Sequence, residues 1–217
     1  MSTSLLDGPR ITPPGEVASL VVLLHGYGAD GNDLIGLGEV WRGLLPATAF
    51  LAPHAPQPLP FEAMGGRQWF DLTFRDASEL RRGTLAAAPA LERLLDAQLA
   101  RLGLPPDRLA LVGFSQGTMM ALHVGLRRSV APAAIVGYSG VVAGPEQLAA
   151  EITARPPVQL IHGEADEVIP VGALGLTREA LAAAGVPLEW HVAPGLGHGI
   201  DEDGLRLGGH FLAHHLR

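Results

Sequence analysis

A serine between two glycines is the residue of this chain best placed to act as a nucleophile. Gly113-Phe114-Ser115-Gln116-Gly117 fits the pattern G-x-S-x-G, directly after the apolar run Arg108–Val112 and before a helical stretch. A sharp strand-to-helix turn holds such a serine in a strained conformation and exposes its oxygen above the sheet. Glycine is needed on both sides because a Cβ there would collide with neighbouring backbone. Ser139 also ends a strand, but it lacks the first glycine and a following helix, so we interpret it as a loop residue.

A serine hydroxyl becomes a useful nucleophile only when an adjacent base accepts its proton. Behind an elbow of this kind, the chain order is serine, acid, histidine. Asp166 lies in a loop at the carboxyl end of the run Val158–His162, where α/β sheets build their sites. Glu164 and Glu167 lie in the same loop and remain candidates for the acid, although position favours Asp166. His198 lies in a later glycine-rich loop, which can hold a histidine at an unusual angle.

Other histidines have simpler interpretations. His191 lies within a predicted strand and is expected to be a packed or surface residue. His210 and His214 are one helical turn apart and could share a metal ion, but no third ligand stands out nearby. We therefore interpret them as surface histidines and predict no metal site.

A second glycine motif, Gly26-Tyr27-Gly28-Ala29-Asp30-Gly31, fits the dinucleotide pattern G-x-G-x-x-G between a strand and a helix. It raises the alternative of a nicotinamide- or flavin-dependent oxidoreductase. Two features oppose this alternative: Ala47–Pro53 contains no carboxylate for the ribose, and Asp30 would repel the pyrophosphate. We favour a loop that supplies one backbone N–H to an oxyanion hole, with Gln116 N–H as the second donor.

The elements that must position these residues alternate between short apolar runs and longer helical stretches, which predicts an α/β fold with a mostly parallel sheet covered by helices. The predicted strands are Ser19–Leu24, Arg108–Val112, Ala134–Gly137, Val158–His162 and Leu188–Val192. The predicted helices are Asp33–Leu45, Ser78–Leu102, Gln116–Arg127, Pro145–Ala154, Val171–Ala184 and Gly204–His215.

The segment Pro53–Phe74 breaks this alternation. It contains four prolines and a Gly-Gly pair together with many apolar side chains, and long loops of this kind are often functional. We predict that Pro58–Phe74 lines a substrate pocket, since ligand sites are mostly apolar. The expected contacts are Phe61, Met64, Trp69 and Leu72, although Trp69 and Leu72 fit an ordinary core equally well.

Composition bounds the remaining possibilities. The 217 residues, 47% hydrophobic, suit a single α/β domain over residues 1–217. The formal charge of −7 and the lack of a basic stripe argue against a nucleic-acid partner. No apolar run approaches the roughly 18 residues of a membrane span, and no signal peptide is visible. With no cysteine, neither disulfides nor a cysteine nucleophile are available, and we expect a cytoplasmic protein without stable membrane insertion.

Five ordered blocks resemble the phospholipase/carboxylesterase family, which includes the acyl-protein thioesterases: LLHGYGADGNDL, APHAPQP…GGRQWFDL, LVGFSQGTMMAL, IHGEADEVIP and GLGHGI. The resemblance implies an α/β-hydrolase fold without a large cap domain and a serine carboxylesterase that needs no cofactor or metal. It also implies small ester or acyl substrates, including thioesters and lysophospholipids for some members.

By the same resemblance, the catalytic triad falls on Ser115, Asp166 and His198, and the oxyanion donors are the backbone N–H groups of Tyr27 and Gln116. Tyr27 stands where the eukaryotic thioesterases usually have leucine, so we extend only the carboxylesterase activity to this chain. An inactive hydrolase-like binding protein is a further alternative, but such proteins usually lack a triad member, and all three are present.

Overall fold

The structure is a computed structural model and describes residues 5–59, 65–73, 76 and 78–217. The strands are β1 (Arg10–Ile11), β2 (Ser19–Leu24), β3 (Thr48–Leu51), β4 (Gln57–Pro58), β5 (Arg67–Gln68), β6 (Leu109–Phe114), β7 (Ala134–Tyr138), β8 (Val158–Gly163) and β9 (Leu188–Ala193). The helices are α1 (Gly31–Trp41), α2 (Glu79–Leu102), α3 (Gln116–Gly125), α4 (Leu148–Glu151), α5 (Gly172–Ala183) and α6 (Glu202–His215).

The main sheet of this part of the chain has the order β1-β3-β2-β6-β7-β8-β9, and β4 pairs with β5 in a separate hairpin. β1 runs antiparallel to β3, while every other neighbouring pair of the main sheet is parallel. The predicted mostly parallel sheet flanked by helices is therefore confirmed. Within the described ranges no segment forms a large cap over the sheet.

Helices cover both faces of the sheet because successive side chains of the central strands are apolar on both sides. On one face, Val22 of β2 belongs to a buried cluster with Leu91 of α2. On the other face, Val21 belongs to a cluster with Trp41 of α1 and Phe211 of α6. No helix in the described residues has the length and apolarity that crossing a membrane requires.

The predicted elements are present, all but β2 with shifted ends, and one helix is much shorter than expected. Instead of a helix over 145–154, a 3-10 turn at Pro145–Gln147 leads into the single turn of α4. The chain leaves the helix because the N–H groups of Thr153 and Ala154 both donate to the carbonyl of Leu126 (3.0 Å each). The sequence prediction did not include β1, β3, β4 or β5.

Parallel pairing brings the carboxyl ends of four strands to one edge of the sheet. β2 pairs with β6 so that Leu24 lies opposite Gly113, and β6, β7 and β8 continue the register. The loops that follow these strands therefore meet at this edge, where α/β sheets place their ligands.

Candidate active site

Ser115 occupies a sharp turn between β6 and α3. Its backbone has φ 54° and ψ −117°, a conformation that costs a non-glycine residue about 1–3 kcal/mol. Both flanking glycines are required by space, as the sequence predicts. A Cβ on Gly113 would lie 2.3 Å from the backbone nitrogen of Thr118, and one on Gly117 would lie 1.8 Å from the carbonyl oxygen of Leu24.

The imidazole of His198 lies beside this turn. Its ring packs against the ring of Phe114, the residue before Ser115, with 4.9 Å between centroids. The Ser115 hydroxyl forms no hydrogen bond with another described residue. Catalytic hydrogen bonds are often long without substrate and tighten when it binds, so the arrangement is compatible with proton transfer between the two groups.

Asp166 is the carboxylate that contacts His198. The distance from His198 Nδ1 to Asp166 Oδ2 is 2.8 Å, and the Asp166 side chain has no exposed surface. The other oxygen, Oδ1, accepts the backbone N–H groups of Val168 and Ile169 at 2.9 Å each. Burial alone would raise the pKa of Asp166, but the hydrogen bonds from His198 and from these two N–H groups lower it below its ordinary value. Asp166 is therefore a buried, ionised partner for the imidazole.

The two rival carboxylates point elsewhere. Glu164 is exposed, and its Oε2 accepts the backbone N–H of Gly195 at 3.0 Å. Glu167 is also exposed, and it contacts neither imidazole of this region in the described residues. Only Asp166 of the three meets His198.

His162 is a second buried histidine beside the same carboxylate, and the sequence analysis did not single it out. Its Nε2 donates to the carbonyl of Ile169 at 2.8 Å and lies 3.5 Å from Asp166 Oδ2. The imidazole thus fixes the turn that presents Asp166. A histidine at the end of a buried strand, four residues before an acid, was the available signal.

The predicted oxyanion loop lies against the serine turn. A Cβ on Gly26 would be 3.3 Å from the Cβ of Ser115. The N–H of Gln116 is in the first turn of α3, where no intrahelical acceptor exists. In the described part of the chain, no acceptor contacts the N–H of Tyr27 either. Neither predicted donor therefore has a hydrogen-bond acceptor among the described residues.

The β4–β5 hairpin holds this loop by backbone hydrogen bonds. Gly28 N–H donates to the carbonyl of Arg67, and Arg67 N–H donates to the carbonyl of Ala29, both at 2.9 Å. A Cβ on Gly66 would lie 2.1 Å from the carbonyl oxygen of Gly28. Gly66, the second residue of the Gly-Gly pair, must therefore be glycine because the backbone of Gly28 lies so close to it.

The side chain of Gln116 joins α3 to the segment that follows the hairpin. Its Oε1 accepts the N–H of Trp69, and its Nε2 donates to the carbonyl of Phe70, both at 2.8 Å. All three residues are buried. Gln116 thus links α3, whose first N–H is one predicted oxyanion donor, to the segment that supports the loop of Tyr27, the other predicted donor.

His25 fixes the base of the loop. The N–H of Ala55 donates to its Nε2 at 3.0 Å, so Nδ1 carries the proton and donates to the carbonyl of Gly26 at 2.8 Å. Burial lowers the pKa of His25, which keeps the ring neutral in this bonding pattern. The indole N–H of Trp69 donates to the carbonyl of His25 at 3.0 Å.

The predicted pocket residues are only partly placed. Phe61 and Met64 lie outside the described residues. Trp69 has no exposed surface and belongs to the core, where it supports the oxyanion loop. Leu72 is half-buried and packs against the same core cluster. Substrate contact by these four residues stays a prediction.

The remaining serine and histidine candidates form no hydrogen bond with Asp166 or His198 in the described residues. Ser139 has a φ of 45°, and its hydroxyl is buried without a hydrogen-bond partner in the described residues. His191 is on β9, and His210 and His214 are on α6. Among the described residues, no group of three or more histidine, aspartate or glutamate side chains is arranged to hold a metal ion.

Comparison with protein families matches residues 7–216 to the phospholipase/carboxylesterase family. The chain belongs to this family. The similar proteins include an acyl-protein thioesterase 1 from Neurospora crassa, 30% identical over 90% of this chain and 86% of that protein. Another from Schizosaccharomyces pombe is 31% identical over 77% of each chain. Among solved structures, esterase PE8 is 42% identical, with a TM-score of 0.93 over 98% of this chain and 100% of that one.

Membership of the phospholipase/carboxylesterase family, with esterase and thioesterase relatives, makes the chain a serine hydrolase. The dinucleotide alternative for Gly26–Gly31 is therefore wrong, and Asp30 shows why. Its carboxylate caps α1 by accepting the N–H of Asn32 at 2.7 Å. It stands where a pyrophosphate would have to bind the helix N-terminus. The same similarity to esterases and thioesterases also argues against the alternative of an inactive binding protein.

Proposed function

We propose that this member of the family is a carboxylesterase that cleaves esters with Ser115 as nucleophile, His198 as general base and Asp166 as the acid that orients the imidazole. The observation that carries the proposal is the 2.8 Å contact between His198 and the buried Asp166, next to the strained turn of Ser115. Three elements far apart in sequence bring these side chains to one edge of the sheet.

The hydrogen-bond geometry supports one protonation pattern. The Nδ1–H of His198 donates to Asp166, which leaves Nε2 free to take the proton of Ser115. As the serine oxygen attacks the acyl carbonyl, the imidazole becomes positively charged and the ionised carboxylate stabilises it. The imidazolium then protonates the leaving alcohol or thiol, and water hydrolyses the acyl-enzyme by the same steps.

The N–H groups of Tyr27 and Gln116 are the proposed donors for the tetrahedral oxyanion. Both are without acceptors in the described residues, and the loop that carries Tyr27 contacts Ser115 at Gly26. Donors that are fixed before the reaction stabilise the developing charge without reorganisation, and losing one typically costs about 10²–10³ in rate.

The proposed substrates are carboxylic esters, with thioesters and lysophospholipids as further candidates within the class. Apolar side chains flank the site. Tyr27 of the oxyanion loop and Val168 of the Asp166 turn are exposed, and Leu72 is half-buried. The esterase and the thioesterases among the similar proteins support the same class.

The test is a panel of p-nitrophenyl esters and acyl thioesters of graded chain length, with Ser115→Ala as the matched control. We expect turnover by the parent chain and a loss of about 10⁶ in kcat for the variant, as for other triad serines. A fluorophosphonate should label the parent once and leave the variant unlabelled. Esterase activity of Ser115→Ala within tenfold of the parent would refute the assignment.

A further inference from the structure

β9 forms one edge of the main sheet, and it carries large exposed apolar side chains beside its unpaired outer side. Within the described residues no strand pairs with that side. Trp190 is 49% exposed and Val192 is 37% exposed. Natural edge strands are usually protected by charged side chains, proline or a bulge; the strand sequence LEWHVA has neither lysine nor proline, and its one carboxylate is Glu189. The edge therefore presents a surface that other strands can pair with.

The backbone groups that point outward can be identified from the pairing with β8. In a parallel ladder, alternate residues direct both N–H and C=O toward the same neighbour. The carbonyls of Pro187 and Ala193 accept from β8 at 2.9 Å each, so the odd-numbered residues face β8. The N–H and C=O groups of Leu188, Trp190 and Val192 therefore point to the free edge.

We propose that this edge pairs antiparallel with β9 of a second copy of the chain, around a two-fold axis at Trp190. In this register the two Trp190 residues exchange hydrogen bonds, and Leu188 of each copy bonds Val192 of the other. Glu189 then lies directly opposite His191. Such non-hydrogen-bonded pairs have Cα atoms about 4.5 Å apart, so the carboxylate of Glu189 can accept a hydrogen bond from the imidazole of His191. The main sheets of both copies become one continuous sheet.

Neighbouring registers lack this complementarity. Moving the axis by one residue toward the start of the strand places Glu189 opposite Glu189, which is repulsive. Moving it the other way places His191 opposite His191 and leaves both glutamates without an imidazole to bond. The strand is thus self-complementary in one register, as an isologous two-fold interface requires.

A groove beside the strand provides room for the partner's apolar side chains. It has a volume of about 430 Å³ and lies between α5 and β9, with Val186, Leu188 and Trp190 among its lining residues. The guanidinium of Arg178 stacks over the Trp190 ring at 3.5 Å. This contact holds the indole against its own subunit while its other side stays available to the partner.

Charge reversal at the edge tests the proposal without touching the active site. His191→Glu places glutamate opposite Glu189 twice per dimer, and Glu189→Arg places arginine opposite His191 twice. The double variant Glu189→Arg/His191→Glu places opposite charges directly across from each other. Glu16→Arg, an exposed position before β2, is the matched control for the charge change.

Sedimentation velocity over about 1–100 µM chain should show a dimer for the parent, the double variant and Glu16→Arg. It should show a monomer for both single variants at the same concentrations, with esterase activity retained as evidence of folding. A parent chain that is monomeric throughout, or a dimer that survives both single substitutions, would overturn the proposal.

Tryptophan fluorescence gives a second readout. Trp41 and Trp69 are buried, so Trp190 is the tryptophan accessible to a quencher. Acrylamide quenching of the parent should fall as the concentration rises through the dimerisation range, while quenching of His191→Glu should stay constant. Equal quenching of the two proteins at all concentrations would place the dimer contact, if one forms, away from β9.

Discussion

Replacing Gln116 with methionine tests whether one side chain holds both halves of the proposed oxyanion hole. Methionine keeps the length of the side chain but removes both polar atoms. The N–H of Trp69 and the carbonyl of Phe70 would then be buried without their present partners, each 2.8 Å away. Leaving a buried polar group unsatisfied costs about 1–3 kcal/mol, so the two groups together should lower the free energy of unfolding by about 2–6 kcal/mol.

The loss is large compared with a typical stability of about 5–15 kcal/mol, yet it leaves room for a folded variant. At about 2–4 °C per kcal/mol for a chain of this size, the melting temperature should fall by at least about 4 °C. The backbone N–H of Gln116 remains, but the segment supporting the loop of Tyr27 is released. We therefore expect kcat to fall about ten- to a hundredfold, less than complete loss of a donor.

The assay is urea unfolding together with kcat and KM on one p-nitrophenyl ester. Gln68→Met is the matched control, since Gln68 is also buried but, among the described residues, its side chain bonds only the exposed side chains of Gln57 and Asp71. Water can satisfy those partners, so Gln68→Met should lower the free energy of unfolding by less than about 1.5 kcal/mol. If Gln116→Met is no less stable than Gln68→Met and keeps kcat within twofold, the side chain does not hold the site together.

Three further predictions concern the acid, the pH dependence and the pocket. Asp166→Asn should lower kcat by about 10⁴ by favouring the wrong imidazole tautomer, while Glu164→Gln and Glu167→Gln should each lower kcat less than about tenfold. If one of the two glutamine variants is the inactive one, that glutamate and not Asp166 is the triad acid. Burial, and then the nearby charge of Arg127, lower the pKa of His123 to about 4. Below its ordinary pKa of 6.5, the unfolded chain takes up a proton that the folded chain does not bind. The free energy of unfolding should therefore fall by about 3 kcal/mol between pH 6.5 and 4. Unfolding curves of His123→Leu should not show this decrease, and a variant whose free energy of unfolding falls in parallel with that of the parent chain would contradict the prediction. Leu72→Ala should change the preferred acyl length more than the melting temperature, and the opposite result would place Leu72 in the core alone.

The elements that the sequence predicts are those whose signal is local. Ser19–Leu24 contains the continuous apolar run Leu20–Leu24, which is typical of a strand buried on both faces, and the structure has β2 over Ser19–Leu24. β1 has two residues and exists only through its pairing with β3. No local pattern distinguishes such a pair of residues from a loop.

The site divides in the same way. G-x-S-x-G at Ser115 is a local motif, so its turn was predictable from spacing and flanking glycines. The choice among Glu164, Asp166 and Glu167 depends on which side chain the loop turns inward, and the N–H groups that accomplish this appear only in the folded turn. The contact of Gln116 with Trp69 joins residues 47 positions apart, beyond the reach of any spacing rule.

The strained backbone of Ser115 has a consequence for directed evolution. Glycine adopts positive φ without the steric cost that a serine bears, so Ser115→Gly relieves strain while deleting the nucleophile. A library of this chain selected for heat resistance alone will therefore enrich dead variants at this codon, and a screen needs an activity gate from its first round. Resistance to heat and retention of the reactive oxygen are opposing selections at this one position.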